Sequence, residues 1–231
     1  MKDPKVLGII PARGGSKGIK NKNIKSLCGL PLIAYSILSS LRSKHITRLI
    51  VSTDSSEIKD ISESYGAEVP FMRPIKLSQD DSLSIDLVIH AIQNLKENYD
   101  YVVLLQPTTP FRKASYIDYA ISTLMKNNCD TVVSMVNVGA NHPSRMYTYD
   151  DDKLLPIMTE KQLMGPRQHL GNVYIRSGDI YAAKTDFVLN EKKLMGGKCT
   201  PIFIDQDEAV NIDTLNDFIL AENLMGKYER K

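Results

Sequence analysis

Short apolar runs and stretches of helical period alternate along this chain from one end to the other. Val6–Ile10 opens the series, and four of its five residues are large aliphatics, the pattern of a strand buried on both faces. Leu32–Leu41 carries apolar side chains at helical spacing with Pro31 at its start, and predicts the first helix. A second strand over Arg48–Ser52 runs into Thr53-Asp54-Ser55, where Glu57 stands three residues beyond Asp54 as in a capping box. That helix is expected to reach about Tyr65, with Gly66 as its stop and Ala67–Phe71 extended before Arg73-Pro74. Apolar positions 85, 88, 89, 92 and 95 share one helical face in Ser84–Leu95. Tyr101–Leu105 is the clearest buried strand, and Gln106-Pro107-Thr108-Thr109-Pro110 ends it. A helix over Ser115–Met125, strands over Thr131–Val136, Tyr174–Ala183 and Thr200–Ile204, and a closing amphipathic helix over Thr214–Met225 complete the pattern.

Repeated strand–helix units with few polar residues in the strands predict an α/β fold, a mostly parallel sheet covered by helices on both faces. The length of 231 residues suits one domain over 1–231. Residues 139–172 break the rhythm with His142-Pro143, Tyr147, Tyr149, three consecutive aspartates and Pro156. That stretch reads as a β-hairpin or loop insertion, an inserted lobe rather than a second domain. Its tyrosines and methionines are poorly accounted for as a solvated loop, and they point to a homodimer.

Composition narrows the partners. The net charge of +2 provides no broad field for nucleic acid or an anionic membrane, so any positive charge that matters is local. The longest apolar stretches fall far short of the roughly 18 residues a membrane span needs. The first residues run directly into a strand and lack a signal peptide's apolar region. Cys28, Cys129 and Cys199 are odd in number and in no metal spacing, as expected of incidental thiols in a reducing, cytoplasmic compartment.

Local charge is concentrated after the first strand, where Pro11-Ala12-Arg13-Gly14-Gly15-Ser16-Lys17-Gly18 joins three glycines, two cations and a hydroxyl. Glycines let a backbone turn sharply and approach a ligand, and successive N–H groups form an anion-binding nest. Ile19 after Gly18 excludes the P-loop, and Gly-Gly-Ser-Lys-Gly is not the dinucleotide fingerprint G-x-G-x-x-G. A solvated glycine turn is the plain alternative. Ligands of open α/β sheets bind outside the carboxyl ends of strands. Four polar groups fall at such ends: the Arg13–Lys22 loop, Thr53-Asp54, Gln106-Pro107-Thr108-Thr109 and Asn211-Ile212-Asp213. A phosphate loop and a late carboxylate on one rim suggest a nucleotide–metal site, since Mg²⁺ is held by one or two carboxylates plus phosphate oxygens.

Ile-Pro-Ala-Arg-Gly-Gly-Ser-Lys-Gly-Ile-Lys-Asn-Lys-Asn, followed by Gly-Leu-Pro-Leu-Ile-Ala-Tyr-Ser-Ile, resembles the opening of the acylneuraminate cytidylyltransferases. Val-Ser-Thr-Asp at 51–54, Leu-Leu-Gln-Pro-Thr-Thr-Pro-Phe-Arg at 104–112 and Asn-Ile-Asp-Thr at 211–214 fall in that family's order, so the resemblance covers nearly the whole chain. It implies a Rossmann-like three-layer α/β/α fold of the nucleotide-diphospho-sugar transferase type, with the inserted lobe serving dimerisation. It also implies transfer of CMP from CTP to the anomeric hydroxyl of a nine-carbon 2-keto sugar acid, with Mg²⁺ or Mn²⁺. By the resemblance Arg13 and Lys17 contact the triphosphate within a cradle of Ala12, Gly14, Gly15 and Ser16. Asn23 and Ser84 contact the nucleotide, Gln106 faces the sugar, Arg167 lies near the sugar carboxylate or a partner's site, and Asp213 binds metal.

Two departures qualify the transfer. Asn211 stands where the family has its first metal aspartate, which leaves Asp213 as the carboxylate, with Asp205 or Asp207 as possible helpers. Arg176-Ser177-Gly178-Asp179 replaces a common Asn-Gly turn, so the acceptor sugar can differ from N-acetylneuraminate. Quieter readings stand beside the chemical ones. His45, His90, His142 and His169 are scattered, Asp150-Asp151-Asp152 fits an acidic hairpin turn, and Tyr116 and Tyr119 fit helix packing or surface. Lys20, Lys22 and Lys25 are solvated or, for Lys22, on phosphate, and Asp54 is an N-cap or a ligand contact. A CMP-Kdo-type synthetase and a nucleotide-binding paralogue without turnover are the competing functions.

Overall fold

The computed structural model describes residues 3–16, 18–158 and 171–228. Among these, six strands form one sheet in the order β10 (Cys199–Phe203), β6 (Thr131–Asn137), β9 (Tyr174–Lys184), β5 (Tyr101–Leu104), β1 (Val6–Pro11), β4 (Arg48–Ser52). The strands β1, β4, β5, β6 and β10 match the predicted apolar runs to within a residue or two. β1 pairs in parallel with β4 on one side and β5 on the other, and β6 pairs in parallel with β10. The chain therefore crosses from β4 over β1 to β5. That reversal of direction opens a crevice at the carboxyl end of β1.

Helices α1 (Leu32–Leu41), α2 (Ser56–Ser64) and α4 (Ala114–Lys126) cover one face, and α3 (Ser84–Asn94) with α5 (Thr185–Glu191) cover the other. Alternation along β1 separates the two cores. Val6 and Ile10 pack with Ile33, Ile37, Ile117 and Ile121, whereas Leu7 and Ile9 pack with Leu87, Val88 and Val188. A third cluster, built on Phe218, Ile212, Leu27 and Ile19, seats α6 (Leu215–Tyr228) against the end of the glycine loop and the small β2 (Ser26–Leu27) and β3 (Leu30–Pro31) hairpin. The expected three layers are present.

β9 (Tyr174–Lys184) departs from the parallel pattern: it runs antiparallel between β5 and β6. Its ladder with β6 is also broken. Met135 pairs with Arg176 and Val133 with Tyr181, so residues 177 to 180 stand opposite Ser134 alone. Ser134 fills the gap, its Oγ donating to the Ile180 carbonyl at 3.2 Å and accepting from the Ile180 N–H and the Ser177 hydroxyl at 2.8 Å each. An irregularity of this kind bends a strand and re-aims its side chains, and here it pushes Gly178, at φ +83°, toward the end of β5.

Within 139–158 the chain forms a hairpin of β7 (Tyr147–Asp150) and β8 (Lys153–Pro156). Asp151 and Asp152 occupy its turn at φ 49° and 59°, as the acidic-turn reading expects, and Asp152 accepts a hydrogen bond from the Tyr149 hydroxyl at 2.6 Å. Residues 159–170 of the irregular stretch lie outside the described residues, and Arg167 and His169 with them. One local expectation is corrected. Ser55, not Asp54, caps α2, accepting from the Ile58 N–H at 3.4 Å, because Asp54 is occupied elsewhere.

Candidate active site

Two adjoining clefts open along the carboxyl rim of the sheet. The first, of about 520 Å³, is bounded by Arg13, Lys22, Asn23, Arg73, Gln106 and Asp213. The second, of about 790 Å³, has more apolar walls, with Val136, Tyr181, Leu194 and Met195 beside Arg176 and Lys193. Ser84, Gln106 and Asn211 line both and mark the junction. The four polar strand ends singled out in the sequence thus gather on one rim.

The glycine loop is fixed from below and from the side. Asp54 accepts the Gly14 N–H at 3.0 Å, which is why it does not cap α2. Asn23, 5 % exposed, donates its amide to the Arg13 carbonyl at 3.0 Å and leaves its own oxygen buried without a partner. A side chain at Gly18 would put its Cβ 2.6 Å from the Asp213 carbonyl, so only glycine lets the loop close on the β10–α6 connection. Ala12 is wholly buried beneath the loop, its N–H on the Ser52 carbonyl at 3.0 Å. Gly14 sits against Ser55, Gly15 faces open space, and Ser16 and Gly18 line the first cleft. Lys17 lies outside the described residues.

Cations in the first cleft are each held by an acidic or carbonyl group. Arg13 donates to the Ser78 carbonyl at 3.2 Å and pairs with Asp80 at 2.8 Å. Lys22 reaches the Ile212 carbonyl at 2.8 Å and the Asp213 carboxylate at 3.1 Å, which places it in the site rather than in solvent. Arg73 is buried, donates to the Ser78 hydroxyl at 2.9 Å and stands 3.9 Å from Asp54. Burial lowers its pKa, Asp54 opposes that shift and Arg13 adds to it.

Asp213 is exposed, and its second oxygen accepts from the Asn211 amide at 2.5 Å. The main chain around it is tied down by Asp217, which accepts from the Asp213 and Thr214 N–H groups at 3.1 and 2.7 Å. Desolvation raises the Asp217 pKa. The bonds from Thr214 and Asp213, with Lys22 nearby, outweigh it and keep the carboxyl below its ordinary range. Asp205 faces the Tyr116 hydroxyl at 3.4 Å, and Glu208 pairs with Lys113. Among the described residues no three His, Cys, Asp or Glu side chains gather as a metal cluster.

A profile of the family described as cytidylyltransferase matches residues 7–218, nearly the whole chain. The chain belongs to the cytidylyltransferase family. It is 34% identical over 225 residues to the CMP-N,N'-diacetyllegionaminic acid synthase of Legionella pneumophila, covering 96% of each chain. It is also 34% identical over 230 residues to the N-acylneuraminate cytidylyltransferase of Escherichia coli, where 98% of this chain spans only 54% of that protein. The pseudaminic acid cytidylyltransferase of Campylobacter jejuni is 30% identical over 224 residues, covering 95% of this chain and 96% of that protein. Among solved structures, a CMP:2-keto-3-deoxy-manno-octonic acid synthetase complexed with CTP shares the fold at a TM-score of 0.74 and 16% identity, over 97% of this chain and 99% of that one.

This cytidylyltransferase places two further cations that the sequence pattern passed over, one in the first cleft and one beneath the junction of the two. Arg73 reads in sequence as half of an Arg-Pro turn after an extended piece, and only folding brings it beside Arg13. Arg112, 3 % exposed, closes the quoted 104–112 motif and lies beneath Gln106. The three histidines among the described residues are accounted for structurally: His45 meets the Ser122 hydroxyl, His142 bonds within its own turn, and His90 packs edge-on against Phe71. No helix among the described residues is long and apolar enough to cross a membrane.

Proposed function

We propose that this chain transfers CMP from CTP to the anomeric hydroxyl of a nine-carbon 2-keto sugar acid. The anomeric hydroxyl gives up its proton to solvent as its oxygen attacks the α-phosphorus, the bond to the bridging oxygen breaks, and pyrophosphate leaves with that electron pair. The carrying observation is the pair of clefts joined at Ser84, Gln106 and Asn211, one cationic and one with apolar walls. A triphosphate suits the first, where Arg13, Lys22 and Arg73 neutralise charge, the Ser16 hydroxyl gives a further donor, and Lys17 is assigned to the triphosphate by the family resemblance alone. Asn23 and Ser84 contact the nucleotide, Gln106 faces the acceptor, and Arg167 is assigned by the family resemblance to the sugar carboxylate or to a partner's site. Such transfer needs positioning and charge stabilisation rather than a protein nucleophile.

The donor set at the rim fits a hard divalent cation such as Mg²⁺ or Mn²⁺: one exposed carboxylate, Asp213, beside one amide, Asn211, both facing the triphosphate side. A bound ion would neutralise phosphate charge there. Lys22 and Asn211 orient the Asp213 carboxylate meanwhile.

The working form in this reading is a cytoplasmic homodimer, joined through the inserted lobe about residues 139–172. Support comes from Tyr147, Tyr149, Leu154, Leu155 and Ile157, all exposed on the hairpin and its exit. Light scattering is expected to give twice the monomer mass, and a monomer at assay concentration would remove the dimer.

The decisive experiment measures pyrophosphate release from CTP with N-acetylneuraminate, a legionaminate, a pseudaminate and Kdo. Release with a nine-carbon acid is expected. Release with Kdo alone would reassign the enzyme to eight-carbon acids, and CTP binding without release with any acid would identify a paralogue lacking turnover.

A further inference from the structure

The most costly side chain near the site is one that touches neither cleft. Arg112 has its guanidinium wholly enclosed, and burial lowers its pKa to about 10 against the pull of Asp179. Buried charge of this kind is poor economy for stability alone, since apolar packing does as well or better. Its hydrogen bonds show where the arginine acts. Nη1 donates to the Gln106 carbonyl at 3.0 Å, the Thr109 hydroxyl at 2.8 Å and the Asp179 carbonyl at 2.8 Å. Nη2 donates to the Ser36 hydroxyl at 2.5 Å, and that hydroxyl bonds the Gln106 carbonyl in turn at 3.3 Å. One planar fork therefore clamps the loop after β5 to the irregular stretch of β9 and to α1.

The clamped segments meet at the junction of the clefts. Gly178 precedes Asp179, and a Cβ built on it would stand 3.0 Å from the Gln106 side-chain oxygen and 3.9 Å from that of Asn211. The Gln106 amide is thus seated directly against the Gly178 backbone, whose place depends on the Asp179 carbonyl that Arg112 holds. We propose that Arg112 is a positioning residue: by tying the Gln106 loop to the Gly178 turn, it fixes the Gln106 amide where the two clefts meet and so aligns the acceptor with the nucleotide. Lysine cannot replace it, because a single ammonium cannot span three elements as the guanidinium fork does. Asp179, fully buried beside it, supplies the compensating charge.

This inference rests on the sugar-acid reading for its kinetic test, and a spectroscopic test frees it from that dependence. Acceptor and CTP kinetics are compared in wild type, R112K, Q106A and the double variant, with Tm recorded for each. R112K is expected to lose about tenfold or more in kcat/KM for the acceptor, as small misplacements of a reacting group do, while KM for CTP stays within about twofold. In the Q106A background the same change should cost less than about twofold, because the group being positioned is gone. Equal losses in both backgrounds, or wild-type acceptor kinetics in R112K, would overturn the proposal. Should R112K not fold, S36A removes two bonds of the clamp, those of the Ser36 hydroxyl with Arg112 and with the Gln106 carbonyl, and is expected to lose about two- to threefold, again only when Gln106 is present. Should wild type turn over no acid, the sugar-acid reading fails separately, and the ¹⁵N side-chain signal of Gln106, assigned through Q106A, decides. A shift in R112K or S36A supports the clamp, and an unmoved signal refutes it.

Discussion

Arg13, Lys22 and Arg73 in the first cleft each stand beside a carboxylate, whereas Arg176, Lys192 and Lys193 in the second make no ion pair among the described residues. The first set is held at fixed geometry by Asp80, Asp213, Asp54 and neighbouring carbonyls before any ligand arrives. An anion entering there meets donors already aimed, which is the condition under which charge stabilisation is worth most. The second set is exposed on flexible stems over walls formed by Leu104, Val136, Leu194 and Met195. For an acceptor proposed to bind there, shape would count for more than any one charge. In the proposed reaction the difference separates a generic task, holding a polyphosphate, from a specific one, choosing an acceptor.

The largest test of that contrast removes a buried donor. Arg73→Ala is expected to cut kcat/KM for CTP by about 10²-fold, or roughly 3 kcal/mol, with acceptor KM little changed. A loss confined to the acceptor would collapse the distinction between the clefts.

Next comes the floor beneath both. Burial raises the Asp179 carboxyl to about 6, despite Arg112 and the hydroxyls of Ser177 and Thr109, so the folded state binds its proton more tightly than the unfolded chain does. Stability contributed by the neutral form is therefore present at low pH and is lost as pH rises from about 4 through 6. Asp179→Asn does not titrate. Its Tm relative to wild type should shift in its favour by roughly 5 °C between pH 5 and pH 7, and a pH-independent difference would show that the carboxyl titrates normally.

A smaller effect is expected at the metal pair. Asn211→Asp supplies a second carboxylate and should lower the Mg²⁺ concentration for half-maximal activity by about tenfold at most, read from a metal titration at saturating CTP. An unchanged requirement would place the ion away from residue 211. Smallest of all, Lys192→Ala with Lys193→Ala should raise acceptor KM only about two- to fivefold, an effect that fades by 0.5 M salt as screened surface charge does. A loss rivaling that of Arg73→Ala would mean that the second cleft is as strongly organised by charge as the first.

Much of this architecture was legible in the chain because it follows from local chemistry. Val6–Ile10 and Tyr101–Leu105 announce buried strands by composition, α1 and α3 by period, and the Asp151-Asp152 turn by its tolerance of positive φ. The rim arrangement of Arg13, Gln106 and Asp213 followed from one topological rule, that parallel strands end on the same side. Other features escaped for definite reasons. Asp54 and Ser55 are both good caps, and the choice fell to the distant Gly14 N–H that Asp54 satisfies. Nothing local in Tyr174–Lys184 states that it runs antiparallel, since a strand's direction depends on which neighbours it meets. Arg73 and Arg112 look like ordinary surface cations in sequence, and they are buried where distant segments, carrying Asp54 for the first and Ser36 and Asp179 for the second, fold against them.

The sequence by itself determined the layered α/β pattern, the glycine loop's chemistry and the order of the motifs, because hydrophobic period and turn chemistry act over a few residues. Tertiary structure alone decided the antiparallel β9, its irregular stretch at Ser134 and the clamp through which Arg112 reaches Gln106. Those features depend on which backbone groups remain to be satisfied once distant segments have packed.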